Sequence, residues 1–481
     1  GELFMKMRNR LLSLVLVLCL IFSLLPSVFA GDVDKLGAGK TVILHSNDVH
    51  GEVLGYSYMA ALKAKLEKAG ADVILADAGD FSQGDTSVSL SKGANAVELM
   101  NLTGYDVVGL GNHEFDYGYP QLQENMKKAK FAVLCSNVLD AENKPIFEAN
   151  KIIEKGGVKI GFFGLETPET QTKTNPALIK GLTFLTDSTE TTIWQNAQAQ
   201  VDALKAAGAD VVVCLAHLGV DESSVPYRSY DLYEKVTGLD FIIDGHSHTV
   251  MEKGAKDEPI QSTGTKFANI GVIVVDNATK KISENYLVAT GEGGFSEQDE
   301  TVKAAAQKII DDIKAEYGQK FATSEVELNG AKEPGNRTEE TNNGDLITDA
   351  MVWYLTEKNP GSITETPAEN ILAITNGGGI RAAVKAGDVT KNDIFTVLPF
   401  GNTVAVVYVT GAELLEALEA STFCTPISLG GFPQVSGIKF TVDGDKLYDK
   451  NEETYPGSTY YGPASINRVT IDEINGKPFD E

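Results

Sequence analysis

The chain is poor in cysteine, in tryptophan, in histidine and in positive charge. Four cysteines occur in 481 residues. Cys19 lies near the start; Cys135, Cys214 and Cys424 are an odd, widely spaced remainder, which excludes a disulfide framework. Cys135 and Cys214 fall inside apolar runs and read as small buried hydrophobes. Lysine and arginine number 41 against 67 acidic residues, a formal net charge of −26. That surface excludes a nucleic-acid polymer as partner, because polymer binding needs basic stripes. A small phosphate ester is still allowed, since bound cations reverse the field within one cleft. Long apolar runs are absent too. The longest, Leu11–Leu25, falls short of the ~20 residues of a spanning helix. It follows Lys6, Arg8 and Arg10 and precedes Val28-Phe29-Ala30, an A-x-A-like cleavage site. Residues 1–30 therefore read as a secretory signal peptide. The mature chain is expected outside the cytoplasm, secreted or at the cell surface, without stable membrane insertion.

Residues 41–290 alternate apolar strand-like runs with helical periodicity. Strands are expected at Thr41–Ser46, Asp72–Asp77, Asp106–Leu110, Phe131–Cys135, Lys159–Gly164, Asp210–Leu215 and Asp240–Asp244. Helices are expected at Met59–Ala69 and Thr191–Ala207. This is α/β patterning, a sheet covered by helices. The length suggests two domains. The boundaries are expected at 31–295 for the first, 296–335 for a helical linker built on Gln298–Gln319, and 336–481 for the second. In the second, Val404–Val409 reads as a strand followed by a helix from Gly411. The chain ends in Asn475-Gly476-Lys477-Pro478, turn chemistry leading onward, so this domain reads as truncated after Glu481.

Histidine is scarce, at six, but its placement is not random. Five of the six stand in short polar signatures directly after apolar strand runs: Asp48-Val49-His50, Gly111-Asn112-His113-Glu114-Phe115-Asp116, Ala216-His217 and Gly245-His246-Ser247-His248, with Gly79-Asp80 completing the set. The exception, His45, sits within the first strand. Taken singly, Asp-x-His is a common solvated turn, and a histidine after a strand is more often capped than ligating. Jointly, at successive strand ends where open α/β sheets collect ligands, they meet the needs of a two-metal hydrolytic centre. Asp80 serves as the bridge. Asp48, His50 and His248 complete one site, and Asn112, His217 and His246 the other. Histidine with carboxylate suits Zn, Mn, Co or Fe better than Mg or Ca. His113 and Asp116, three apart, form a carboxylate-supported imidazole able to stabilise charge or protonate a leaving alkoxide.

This ordered set resembles the calcineurin-like metallophosphoesterases. The Ser46-Asn47-Asp48-Val49-His50-Gly51 start and the second domain narrow the likeness to the secreted 5′-nucleotidase / UDP-sugar hydrolase family. The resemblance implies a four-layer αββα catalytic domain, two divalent metal ions and a smaller α+β substrate-binding domain. It assigns substrate contacts to Arg337, to Asn376 and Arg381 of Asn376-Gly377-Gly378-Gly379-Ile380-Arg381, and to Phe400 of Leu398-Pro399-Phe400-Gly401 as a base-stacking ring. Arginines compensate phosphate charge, and an aromatic face stacks on any base. The implied reaction is hydrolysis of nucleoside 5′-monophosphates, with 2′,3′-cyclic nucleotides or UDP-sugars as alternative substrates. A non-enzymatic surface protein with a degenerate phosphatase fold would lack ligands, and none is lacking here.

Overall fold

The computed structural model describes residues 33–363, 366–446 and 467–479. The leader expected over residues 1–30 and the chain end at Glu481 lie outside the described residues.

Twelve strands build the two main sheets of the first domain. In chain order they are β1 (Lys40–Ser46), β2 (Asp72–Asp77), β3 (Val107–Gly109), β4 (Ala132–Leu134), β5 (Asn150–Lys155) and β6 (Val158–Glu166). There follow β7 (Val211–His217), β8 (Phe241–Asp244), β9 (Val250–Met251), β10 (Ile260–Thr263), β11 (Asn269–Asp276) and β12 (Lys281–Ala289). They form two six-stranded sheets, ordered β12-β11-β1-β2-β3-β4 and β9-β10-β8-β7-β6-β5. Strands β1 to β4 run parallel, as do β10, β8, β7 and β6. Antiparallel strands β11, β12, β9 and β5 close the edges.

Side-chain alternation explains why the sheets stack. In β1, Val42 and Leu44 join the core under one helix layer, while Ile43 joins the core between the sheets. In β7, Val211, Val213 and Leu215 point to that shared core, and Val212, Cys214 and Ala216 to the opposite helix layer. Helices α1 (Gly55–Lys68) and α2 (Ala94–Thr103) cover the first sheet with Met59, Leu62, Leu66, Val97 and Met100. Helix α3 (Ile193–Ala206) covers the second with Trp194, Ala197, Val201 and Leu204. It starts at a capping box, with Thr192 accepting from Gln195 N and Gln195 accepting from Thr192 N. The layers therefore run α, β, β, α.

The stretch expected as linker divides. Helix α4 (Glu300–Tyr317) buries Val302 and Ala306 in the first domain's helix layer. The chain then forms β13 (Lys320–Ser324), which pairs antiparallel with Gly387–Thr390 beyond it. The rest is α5 (Asn342–Trp353), β14 (Ala373–Asn376), β15 (Gly387–Thr390), α6 (Lys391–Val397), α7 (Gly411–Thr422), β16 (Pro433–Ser436), β17 (Ile438–Val442) and β18 (Val469–Ile474). Among the described residues its sheets have two or three strands. The strand expected at Val404–Val409 is not formed. The run has the β-branched composition of a strand, but a strand exists only through a paired neighbour, and the backbone from 401 to 410 has none among the described residues.

Candidate metal centre and substrate cleft

The parallel strands of both sheets end at one rim, and there the backbone turns sharply. Asp48, His50, Asp80, His246 and His248 have φ of 50°, 45°, 63°, 84° and 58°. Each costs a non-glycine residue about 1–3 kcal/mol, and strain of this kind gathers at functional sites. Two glycines permit the crowding. A side-chain carbon at Gly111 would lie 2.3 Å from Asp80 Oδ1, and one at Gly245 would lie 2.8 Å from His217 Nδ1.

The strand tips bring together Asp48 and His50 from β1, Asp80 from β2, His217 from β7 and His248 from β8. Asp48 Oδ1 faces the Nε2 atoms of His248, His50 and His217 at 3.5, 3.8 and 3.9 Å. Asp80 Oδ2 lies 3.1 Å from His217 Nε2 and 3.6 Å from His50 Nε2. Asn112 and His246 sit alongside, with Asn112 Oδ1 2.9 Å from His246 Nδ1. His45 stays outside, buried between the sheets against Gln261 Oε1 at 2.8 Å, where burial lowers its pKa to about 4.

Several nitrogens here have lone pairs and no proton donor. His217 Nδ1 donates to Ala78 O at 2.7 Å, and His50 Nδ1 to Gln83 O at 3.1 Å. Those carbonyls put each ring's proton on Nδ1 and leave Nε2 bare. His217 Nε2 is then buried without a hydrogen-bond partner. His50 Nε2 and His248 Nε2 face each other at 3.0 Å. Acceptors and carboxylates packed this way are stable around cations. Three overlapping triads can each hold one: Asp48–His50–His248, His50–Asp80–His113 and Asp48–Asp80–His217.

Some supporting groups escaped the sequence reading. Glu114 accepts from the backbone N–H of Gly111, Asp80, Phe81 and Ser82 at 2.7, 2.8, 3.0 and 3.0 Å, tying two strand-tip loops together. Burial and then Asp80 push its pKa up to about 7, against the pull of those donors. Asn47 donates to Asp48 Oδ2 at 2.7 Å and is itself held by Thr263. Glu169, in Thr167-Pro168-Glu169-Thr170 after β6, meets His246 Nε2 at 3.0 Å. Its position after a strand of the second sheet was a usable signal, although a lone carboxylate there looks like a solvated turn. Burial alone would raise its pKa, but Lys173 and His246 bring it to about 2.

Beside the cluster, His113 Nδ1 bonds Asp116 Oδ2 at 2.6 Å, and His113 N donates to Asp80 Oδ1 at 2.9 Å. Burial alone would lower the His113 pKa; the charges of Asp116 and Asp80 outweigh it, and the pKa is raised. The second domain closes over this edge. The Phe400 ring stacks on His113 with centroids 5.5 Å apart and planes 21° from parallel. The Arg381 guanidinium lies 5.7 Å from the centre of the Phe400 ring. Arg337 and Asn376 stand farther out on the same cleft, where Asn376 Nδ2 is engaged by Gly430 O at 3.2 Å. Burial and then Arg381 push the Arg337 pKa down to about 10. Both domains line one cavity of 2570 Å³; Asn112, His113, His246, His248, Arg381 and Phe400 reach it, with Asp48, His50 and His217 buried beneath.

Residues 41–250 match the calcineurin-like phosphoesterase family, and residues 320–481 match the 5′-nucleotidase C-terminal domain. The chain thus carries the two domains of the 5′-nucleotidases, a calcineurin-like phosphoesterase domain followed by a 5′-nucleotidase C-terminal domain. It is 28% identical to the 5′-nucleotidase of Vibrio cholerae over 85% of this chain and 80% of that one. It is likewise 28% identical to the trifunctional nucleotide phosphoesterase protein YfkN of Bacillus subtilis, covering 89% of this chain but only 32% of that protein's length. The crystal structure of a 5′-nucleotidase precursor from Thermus thermophilus matches with a TM-score of 0.74 at 26% identity, over 92% of this chain and 87% of that one. Members of the 5′-nucleotidase family are phosphoester hydrolases that work with two divalent metal ions. The buried carboxylates and bare imidazole nitrogens of this chain fit such ions. Among the described residues no helix is long and apolar enough to cross a membrane.

Proposed function

We propose that this chain hydrolyses nucleoside 5′-monophosphates to nucleoside and phosphate outside the cytoplasm. In this reading Asp80 would be shared by two divalent ions, Asp48, His50 and His248 would help hold one, and Asn112, His217 and His246 would help hold the other. The observation that carries it is the convergence of three imidazole Nε2 atoms on two buried carboxylates, with His217 Nε2 3.1 Å from Asp80 Oδ2. Bound divalent ions supply Lewis acidity and make hydroxide available near neutral pH.

The chain's own groups do the rest. Asp116 keeps the proton on His113 Nδ1, so Nε2 delivers the other proton to the departing 5′ oxygen or stabilises its charge. Arg337 and Arg381 neutralise the phosphate as it enters. Phe400 offers a ring to the base, and Asn376 a polar contact beside the glycine loop. The basic, apolar and small-residue order of residues 1–30 supports export.

A second reading is a broader substrate range. The cavity exceeds the roughly 300–1,000 Å³ that encloses a small ligand, and one relative is named a trifunctional nucleotide phosphoesterase. Product analysis on AMP, 2′,3′-cyclic AMP and UDP-glucose separates the two. Phosphate release from AMP alone supports the nucleotidase; comparable turnover of all three supports the broader enzyme. No turnover of any by metal-loaded protein overturns both.

A further inference from the structure

Glu169 has no work in the reading above, yet it is held like a part of the site. It follows the tip of β6, is 7% exposed and lines the cleft. Its Oε2 faces His246 Nε2 at 3.0 Å and also accepts from Lys173 Nζ, one helical turn on. The other nitrogen of that ring, Nδ1, faces Asn112 Oδ1 at 2.9 Å.

A neutral imidazole carries one N–H. An ionised carboxylate only accepts, so Glu169 claims that proton for Nε2. Nδ1 is then bare and opposed to an amide oxygen, two acceptors within 2.9 Å. Such a pair repels unless a cation joins it. In His50 and His217 the assignment is reversed: backbone carbonyls take Nδ1–H and leave Nε2 bare. The cluster therefore uses both ring nitrogens, and the choice at His246 rests on one side chain.

We infer that Glu169 is a positioning residue that locks His246 as its Nε2–H tautomer, so that Nδ1 and Asn112 Oδ1 together equip one of the two metal sites, with Lys173 holding the carboxylate in place. This rests on the two-metal reading. The rival is an ordinary ion pair, in which an imidazolium donates from both nitrogens and Glu169 only anchors a loop.

The test uses the full chain stripped by chelator and titrated with Mn²⁺ in a calorimeter, alongside Glu169→Gln, Glu169→Ala and His246→Ala. Wild type should take up two ions. Glu169→Ala should keep one at wild-type affinity and weaken the other by roughly 10–100-fold, the usual loss when an outer partner of a ligand is removed. Glu169→Gln should fall between, since its amide oxygen still accepts an N–H. His246→Ala should lose that ion outright. Histidine-selective ¹⁵N spectra of metal-free wild type at pH 8 give an independent readout that needs no variant. A protonated Nε2 and bare Nδ1 at His246 support the inference; Nδ1–H or an imidazolium overturns it. Two ions bound by Glu169→Ala with unchanged affinities overturn it while leaving the metal reading intact. Fewer than two ions in wild type overturn the metal reading and this inference with it.

Discussion

Asp48 and His217 are fully buried, and His50 is 2% exposed, at the tips of strands whose flanks are packed on both faces. Asn376 is exposed, and Arg337, Arg381 and Phe400 are half-buried on loops of a domain with two- and three-stranded sheets. The first domain holds its chemistry with a large core; the second offers its contacts from loops seated on small clusters, as Arg381 beside buried Ile380. Among the described residues two small apolar clusters serve the second domain, around Ile347 and Val397 and around Leu418 and Ile471. The division fits the proposed work. Cations and a proton-transfer group would have to be fixed within a fraction of an ångström, while groups proposed to admit and release a nucleotide would gain from freedom to adjust.

The comparison breaks first if the buried cluster tolerates damage. His217→Ala should lower kcat by more than about 10³-fold and remove one bound ion, because ring and lone pair are both lost from a centre that generates the nucleophile. Elemental analysis and turnover on AMP check this together. Two retained ions with unchanged turnover would dismiss His217 as a ligand.

Next in size is the pair at the cleft edge. His113→Ala should cost about 10²–10⁴-fold in kcat, the range of general acid catalysis. Asp116→Asn should cost less and shift the pH profile. The acid must carry its proton, so activity persists below the raised His113 pKa and falls as pH rises through it. Asp116 is the leading charge that raises this value against burial, so its removal moves the alkaline limb of kcat to lower pH. An unmoved limb would detach His113 from the chemistry.

The structure makes the prediction for Phe400 sharper than the sequence could. Stacking on a base is worth ~1–3 kcal/mol, so Phe400→Ala should raise KM for AMP roughly tenfold and leave p-nitrophenyl phosphate nearly unaffected. But the ring also lies on His113. Equal losses in kcat on both substrates would show that Phe400 acts through the imidazole instead of the base.

The same contrast decides what was legible beforehand. The strand-tip signatures are local: apolar run, glycine, then Asp, Asn or His within a few residues. They name the cluster; the four layers follow from the family resemblance, because the continuous apolar runs of β1 and β7 do not tell which residues face the helices and which the other sheet. Glu169 has no local mark, because a single acid after a strand does not separate a buttress from a solvated turn; Glu114 stands inside a signature, but its role appears only when a distant loop supplies backbone N–H groups. Phe400 on His113 is a contact between domains, invisible to spacing. Val404–Val409 misled for the same reason in reverse. Its composition is local and strand-like, but pairing depends on a neighbour elsewhere.

That run also provides the smallest prediction. Val407 is 76% exposed, so Val407→Ala removes methyl groups that already face water and should change stability by no more than about 0.5 kcal/mol. Ile43, fully buried between the sheets, should lose roughly 2–5 kcal/mol as Ile43→Ala, the transfer term plus a cavity. Urea unfolding of both variants, read as midpoint shifts at constant slope, measures the gap. A loss above ~1.5 kcal/mol at Val407, three times the most that an exposed position should show, would mean that this face is covered in the folded protein, and that the second domain is held by more than its two small clusters.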